Sequence, residues 1–446
     1  MTTPVCIIGN GYSAAALTLH LMTRGMQANK LGIVGPGKLG QGQAYGCVSD
    51  DFRLNVRAEL MRLWPDKPDH FANWAAASIT DDPAARTDVG DFHRRRDFAA
   101  YMADQLASFP EVADIARHDS LAEAVTSTGT ANEWQITLTD GHALTAARVV
   151  IATGNPAPAW PTKTPPQEAP GLVRVPWRGD WPALIAKDAA VTIIGGGLTA
   201  LDALHALHQQ EHRGHITLVC PEGMLPPVQT DWHDTTPSIW PAPLRGSSFL
   251  RFMRRTIGDD DWSHIEWQRQ FESLRVNISA AWQQLPVADQ ARLMRRLGWL
   301  WSLARFRAGP QATGSAHALI QNGQLTIRRD IVTGLAPTET GQHLVSLGTG
   351  ARIEADAVIN CSGAGRDRLM TRLISDGVAA AHQTAPHRPR MTADLALARP
   401  DGTPYDNLHA VGPVTAHHVG DILGAASISR QAAMLADHIM AKESTA

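Results

Sequence analysis

The sequence predicts an α/β chain in which two parallel-sheet domains are nested, the second inserted in the first, with an added helical block. Three observations carry this expectation. Two glycine-rich turns of one kind sit 186 positions apart, each closing a short apolar strand and opening a helical pattern. Each is followed, much later, by another apolar strand that ends in a small polar turn, Val149-Val150-Ile151-Ala152-Thr153-Gly154 and Ala357-Val358-Ile359-Asn360-Cys361-Ser362-Gly363. A last strand, Leu408 to Val411, runs through Gly412-Pro413 towards an amphipathic helix pattern from about Gly424 to Met440.

Taken in order, Val5 to Ile8 is a strand, Ala15 to Met22 a helix and Leu31 to Val34 the next strand. Residues 36–75 are rich in Gly and Pro with scattered aromatics, as expected of a loop region that wraps a ligand. Arg95 to Ser108 has helical spacing. Trp134 to Leu138 alternates apolar and polar before an Asp140-Gly141 turn, the pattern of a half-exposed hairpin. A Pro-rich stretch from Pro156 to Pro170 marks a domain boundary. Beyond it come strands at Val191 to Ile194 and Ile216 to Cys220, a Trp- and Arg-rich helical block over 246–308, and strand patterns at Leu325 to Ile327 and Leu344 to Leu347. The expected division is 1–165 for the first part of one domain, 166–335 for the inserted domain with its helical block, and 336–446 for the return to the first.

Chemistry enters with the two turns. They read Gly9-Asn10-Gly11-Tyr12-Ser13-Ala14 and Gly195-Gly196-Gly197-Leu198-Thr199-Ala200, the G-x-G-x-x-A form of a dinucleotide fingerprint in its strand–turn–helix setting. The first glycine permits the tight turn and the second lets backbone approach a pyrophosphate. The small sixth residue packs helix on strand, and the helix N-terminus faces the phosphates. A tight turn without ligand is the plain alternative for one such string. Two in context point to Rossmann-like domains holding two dinucleotides.

Composition narrows the partners. At 446 residues the chain is long for one core, and its 19% charged and 44% apolar content is ordinary for a globular protein. A net charge of -3 gives no reason to expect nucleic acid or an anionic membrane, and no apolar run reaches membrane-span length. Residues 1–4 lead straight into the first strand, so no signal peptide is expected. Cys6, Cys47, Cys220 and Cys361 are scattered, with no C-x-x-C, and the 19 histidines show no paired metal spacing. No metal is expected, and a reducing cytoplasm fits best. No motif specifies an oligomer.

The residues resemble the two-dinucleotide-binding flavoproteins, a class that includes the flavin-containing and N-hydroxylating monooxygenases. Within it, the chain is similar to a bacterial FAD/NAD(P)-binding family. The resemblance rests on the order of Gly40-x-Gly42-x-Ala44-Tyr45-Gly46, Leu54-Asn55-Val56, Pro65-Asp66-x-Pro68-Asp69-His70-Phe71, Ala152-Thr153-Gly154-Asn155, Asp261-Trp262, Trp301-x-x-x-Arg305-x-Arg307-x-x-Pro310, Asn360-Cys361-Ser362-Gly363 and Gly412-Pro413. It implies FAD held at Gly9, Gly11, Tyr12, Ser13 and Ala14. Gly40, Gly42, Tyr45, Leu54, Asn55 and Val56 would line the approach to the flavin. Thr153-Gly154 and Ser362-Gly363 would mark chain crossings between the domains, and Gly412-Pro413 would lie near the flavin pyrimidine. Gly195, Gly197, Leu198, Thr199 and Ala200 would hold NAD(P)H.

The implied activity is NAD(P)H-driven monooxygenation, in which a C4a-(hydro)peroxyflavin formed with O₂ passes oxygen to a small N or S nucleophile. Two residues are candidates for roles in it. Asn55 would hydrogen-bond the flavin or its oxygen adduct, or else is a turn residue. His418, in the His417-His418 pair, would be a general acid, or else belongs to a solvated loop. Tyr45, Trp64 and the Trp-rich block read more simply as packing than, for the block, as substrate contact, and Arg305 and Arg307 as structural ion-pair residues, with an anion clamp for cofactor or carboxylate substrate as the alternative. The run His93-Arg94-Arg95-Arg96 reads most simply as a solvated helix start, with arginines that meet phosphate as the alternative.

The chain also departs from that pattern. The first domain's second strand ends in Val34-Gly35-Pro36-Gly37, where a ribose-binding carboxylate is usual; backbone or Lys38 would have to substitute. Cys220-Pro221-Glu222-Gly223 argues against strong NADPH preference, since Glu222 repels a 2′-phosphate. The long Baeyer–Villiger fingerprint is absent. Two other functions stay open: a flavin dehydrogenase or oxidase acting directly on an organic substrate, and a non-catalytic FAD-binding redox-sensing module.

Overall fold

The computed structural model describes residues 2–47, 49–130, 133–233, 235–419 and 424–443, without the side chains of His418 and Val419. Its first sheet has eight strands, and its main run is Ala396–Ala398, Pro404–Ala410, Ala143–Ile151, Thr3–Ile8, Leu31–Val34 and Ala116–His118. Every neighbouring pair from Pro404–Ala410 onward is parallel, with Ile7 opposite both Ile33 and Val150. Val5, Ile7, Val149 and Val150 are fully buried, as expected where helices cover both faces of a parallel sheet. The expected hairpin is there, Trp134–Leu138 running antiparallel to the start of Ala143–Ile151 across the Asp140-Gly141 turn, and Ala122–Ser127 adds antiparallel to its other side. Helix Tyr12–Thr23 packs along the last helix, Ala425–Glu443.

Strand Pro404–Ala410 lies beside Ala143–Ile151, so the chain's two ends build one sheet and the intervening domain is inserted. The second sheet runs Leu325–Arg329, Ile216–Cys220, Val191–Ile194, Ala357–Asn360 and Leu172–Val173, all parallel. An antiparallel trio follows: Val332–Pro337, His343–Leu347 and Arg352–Ala355. These pairings move one expected boundary. The return to the first domain was placed at 336, but residues up to Asn360 belong with the second sheet, because Ala357–Asn360 pairs in register with Val191–Ile194. The strand that echoes Val149 to Ile151 therefore serves the other domain.

Helices Gly246–Ile257, Ile265–Arg275, Ile278–Gln283 and Val287–Arg305 form the helical block. Its tryptophans are largely packing. Trp267 stacks on Phe271 at 5.2 Å between centroids, Trp262 on Trp267 at 5.7 Å, and Trp301 closes on Phe271 at 4.9 Å. Arg307 is buried against Glu272, as an ion-pair residue should be. Among the described residues no helix is long and apolar enough to cross a membrane.

Buried histidines tie the layers together. His20 shares Leu63 O with Ser429 on the last helix, and His205 Nδ1 meets Ser315 Oγ at 2.8 Å between two helices of the inserted domain. Burial pulls both rings down to about 4 from 6.5, and His409, fully enclosed, to about 3. A histidine depressed in this way adds stability that is complete above pH 6.5 and lost as pH falls towards its folded value. Between pH 7.5 and pH 5 each should cost the fold about 1 to 2 kcal/mol. We expect the unfolding midpoint to drop over that interval, and His20→Gln to remove part of the slope. A flat profile from pH 7.5 to 5 would contradict this account.

Candidate functional site

The C-terminal ends of the first sheet's central strands bring three segments together: 9–14, 153–154 and 412–415. Gly9 has φ +126°, and a Cβ there would stand 2.2 Å from Ala152 O. Gly11 caps the helix, Tyr12 and Ser13 form its first turn, and Ala14 is fully buried against the sheet. Gly412 packs on the same turn, since its Cβ would lie 2.2 Å from Ser13 Oγ. Its N–H donates to Gln431 Oε1 (3.0 Å), and the Gln431 amide donates to Thr415 Oγ1 (2.8 Å), fixing the buried Pro413–Thr415 turn. Tyr12 donates its hydroxyl to Ala425 O at 3.0 Å. The expected pyrophosphate turn and the Gly412-Pro413 turn are thus one construction.

The loop with Gly40 and Gly42 lies over it. Gly40 N–H donates to Asn10 O (2.8 Å), and a Cβ on Gly42 would come within 2.7 Å of Gly11 Cα. Tyr45 packs against Phe98 at 4.8 Å and Tyr12 at 6.0 Å, and burial pushes its phenol up to about 12. Leu54 is pinned by its N–H to His93 O (2.8 Å), and Val56 packs on the core.

The second fingerprint repeats the geometry of the first. Gly195 has φ +106°, and its Cβ would stand 2.2 Å from Cys361 O, as Gly9 does from Ala152 O. Ala200 is fully buried; Leu198 and Thr199, half-buried, begin the helix, and Thr199 O accepts the Cys361 thiol at 3.5 Å. Gly197 differs from Gly11, for a Cβ there would meet nothing within 4 Å. This turn therefore stands open where the first is covered by the Gly40–Tyr45 loop. The crossings lie side by side: Asn360 donates to Ala159 O (3.1 Å), and a Cβ on Gly365 would strike Ala157 O at 2.3 Å. Thr153 donates to Asp367, and Ser362 Oγ to Asn360 Oδ1 at 2.7 Å. Gly154 and Gly363 both take positive φ and face open space.

Asn55 does not stand alone. Its side chain faces Asp202, on the second fingerprint helix, which also pairs with Arg95 at 2.7 Å. Burial of Asp202 outweighs the help of Arg95, Asn55 and Trp177 and holds its carboxyl above the usual range. Arg95 is therefore not part of a solvated helix start. It is buried between the domains, and Arg94 beside it pairs with Asp97 (2.9 Å) and Asp81 (2.5 Å). Apart from Asp97, the acidic partners of the basic run, Asp50, Asp81 and Asp202, are remote in sequence, which is why the run reads as solvated.

His418 lies with its side chain outside the described residues. Its neighbour His417 is drawn down to about 4 by burial and by Arg388, His387 and His382, so the ring is neutral at pH 7. Arg329 was not foreseen either. It ends the strand beside Ile216–Cys220, opposite Cys220, and a Cβ on Gly223 would lie 2.8 Å from its own Cβ. The backbone of Arg329 thus lies beside the Cys220-Pro221-Glu222-Gly223 turn. Asp82, His93 and Asp97 cluster, but Arg53 occupies Asp82 and Arg94 occupies Asp97, which leaves the site hostile to a cation. The four cysteines are buried and free, with Cys6 pushed up to about 12 and Cys47 to about 11.

Residues 6–156, about a third of the chain, match the profile of a family described as FAD-NAD(P)-binding. No curated protein sequence matches the chain. Among solved structures, ornithine hydroxylase from Pseudomonas aeruginosa is similar with a TM-score of 0.63 at 16% identity, over 98% of this chain and 99% of its own. L-lysine 6-monooxygenase from Pseudomonas syringae gives 0.63 at 15%, covering 99% of each. A bacillithiol disulfide reductase from Bacillus cereus gives 0.56 at 15%, covering 99% of this chain and 100% of that one. The chain therefore shares its fold with these hydroxylases and reductases, and its N-terminal third matches an FAD-NAD(P)-binding family profile.

Two outcomes follow. Gly197→Ala should leave the unfolding midpoint unchanged, because its Cβ enters open space, yet raise the KM for NAD(P)H at least about ten-fold; Gly9→Ala should instead fail to fold stably. An unaltered KM in Gly197→Ala would remove the phosphate role. Asp202→Asn should destabilise the protein by about 3 kcal/mol by leaving Arg95 buried without its partner, and Arg95→Met with Asp202→Leu should restore most of it. Equal midpoints for wild type and Asp202→Asn would deprive the pair of energetic weight.

Proposed function

We propose that the protein is an FAD-dependent oxidoreductase reduced by NAD(P)H, and that it oxygenates a small nitrogen or sulfur nucleophile. The observation that carries this reading is the duplicated device: two fingerprints with the same 2.2 Å steric limit at the first glycine, at the ends of two sheets joined by paired crossings. Gly9, Gly11 and Ser13 would hold the FAD pyrophosphate against the helix N-terminus, with Gly412 closing on Ser13. Gly195 and Gly197 would hold the nicotinamide dinucleotide. When bound, FAD supplies a hydride acceptor and an oxygen-activating centre.

The protein's part is positional and electrostatic. Two helix N-termini direct partial positive charge at two pyrophosphates. The turn Pro413–Thr415, braced by Gln431, presents backbone to the flavin pyrimidine under this reading. His417, neutral at pH 7, follows directly on that turn and would offer one ring proton there. Asn55 is engaged with Asp202, so its role is to set the domains' mutual position as much as to touch the flavin. Similarity to ornithine and lysine hydroxylases supports an amine as the oxygen acceptor. Disulfide reduction has less support, because the chain has no C-x-x-C and its cysteines are buried with raised pKa values. Glu222, which would repel a 2′-phosphate, supports the reading that NADPH is not strictly selected.

The test is anaerobic stopped-flow absorbance of the FAD-loaded protein mixed with NADH or NADPH and then with O₂. Bleaching of the oxidised flavin band, with a transient near-ultraviolet band on reoxidation, is the expected result. A fully loaded flavin that neither nucleotide bleaches would overturn the reading. Bleaching by an organic substrate alone would instead establish a dehydrogenase or oxidase.

A further inference from the structure

The first domain lacks the carboxylate that usually ends its second strand, and the structure places another one there. Strand Ala116–His118 runs parallel to Leu31–Val34 with His118 opposite Val34, so Asp119 emerges beside Gly35-Pro36-Gly37. It is held in place. Gly35 N–H donates to His118 O (2.9 Å), Gly37 N–H to Asp119 Oδ1 (2.9 Å), and the Arg117 guanidinium to Gly37 O (2.9 Å). A cavity of about 440 Å³ opens at this spot, lined by Lys38, Leu39, Leu106, Val112, Arg117 and Asp119, with Gly35 in its wall. Gly35 also abuts the fingerprint: its Cβ would stand 3.1 Å from Asn10 N and 3.2 Å from Gly9 C. The cavity therefore adjoins the pyrophosphate turn.

We propose that this cavity receives the adenosine end of FAD and that Asp119 accepts the ribose hydroxyls, replacing the absent second-strand carboxylate; the proposal rests on the FAD reading above. The chemistry matches part by part. A carboxylate offers about four acceptor sites, and Gly37 N–H engages one. A vicinal diol presents two hydroxyl donors to those that remain. Leu39, Leu106 and Val112 give apolar lining for the purine, and Lys38 and Arg117 line the same cavity, with the Arg117 guanidinium engaged on Gly37 O.

The experiment measures FAD and FMN affinity of the deflavinated full-length protein by flavin fluorescence, alongside its apo unfolding midpoint. FMN has no adenosine, so it reports on the rest of the site. Asp119→Ala should weaken FAD at least about ten-fold and leave FMN unchanged, the loss expected for a charged hydrogen-bond acceptor. Asp119→Asn keeps an acceptor for Gly37 N–H and should fall between. Val112→Trp enlarges another lining residue and leaves the Asp119 carboxylate in place, and should also weaken FAD but not FMN. FAD affinity unchanged in both Asp119→Ala and Val112→Trp would overturn the assignment while leaving the FAD reading intact. A wild-type chain that binds no FAD would overturn both. An equal loss of FAD and FMN would mean that Asp119 acts on the fold of the turn and not on adenosine.

Discussion

Each sheet is organised around a place where no side chain fits. At Gly9 and Gly195 the carbonyl of the neighbouring strand's exit, Ala152 O or Cys361 O, stands where a Cβ would be, 2.2 Å from its ideal position. That contact lets the strand turn at once into a helix whose first residues face the sheet's edge, with Ala14 and Ala200 small enough to sit flush on it. The remaining parts are arranged around it. Gly412 closes on Ser13 because Ser13 begins a helix starting there, and the two interdomain crossings leave from the strands that supply those carbonyls.

Between the domains the organising forces are electrostatic. Arg95 and Asp202 meet at 2.7 Å with little exposure on either side, and burial still keeps the carboxyl above its ordinary range. A buried pair of this kind adds little net stability over an apolar one of similar shape, but losing one member is costly. Its plausible value lies in orientation. Asp202 sits on the helix of the second fingerprint and Arg95 starts a helix of the first domain, so the pair fixes how one nucleotide crevice faces the other.

Much of this was legible from local pattern. Both fingerprints, the Trp134–Leu138 hairpin, the helix from Arg95 and the nesting all follow from periodicity and turn chemistry within a few residues. What escaped was whatever depends on which strand lies beside which. Asp119 is 82 positions from Gly37, and only the parallel register of Ala116–His118 against Leu31–Val34 brings it there. Arg329 reaches Gly223 by the same kind of pairing. The boundary at 336 failed because one apolar strand ending in a small polar turn reads alike in either domain, and only pairing with Val191–Ile194 assigns it. The arginine run at 94–96 looked solvated because charge in a sequence carries no record of its partners; Asp50, Asp81 and Asp202 all come from elsewhere.

The two crevices, built alike, differ in cover, and the difference bears on what each holds. Over the first turn, the Gly40–Tyr45 loop comes down until a Cβ on Gly42 would touch Gly11 Cα, and Gly412 presses from the other side. Over the second, Gly197 is exposed, with nothing near the position of its Cβ. A ligand enclosed by several segments leaves only when they part, whereas one bound at an open helix end leaves without rearrangement. Under the proposed reading, that asymmetry matches a flavin that stays through many turnovers and a nicotinamide that must exchange in each. The same steric device, repeated, thus serves a resident and a transient cofactor, and the distinction lies in the loops placed over it and not in the fingerprints themselves.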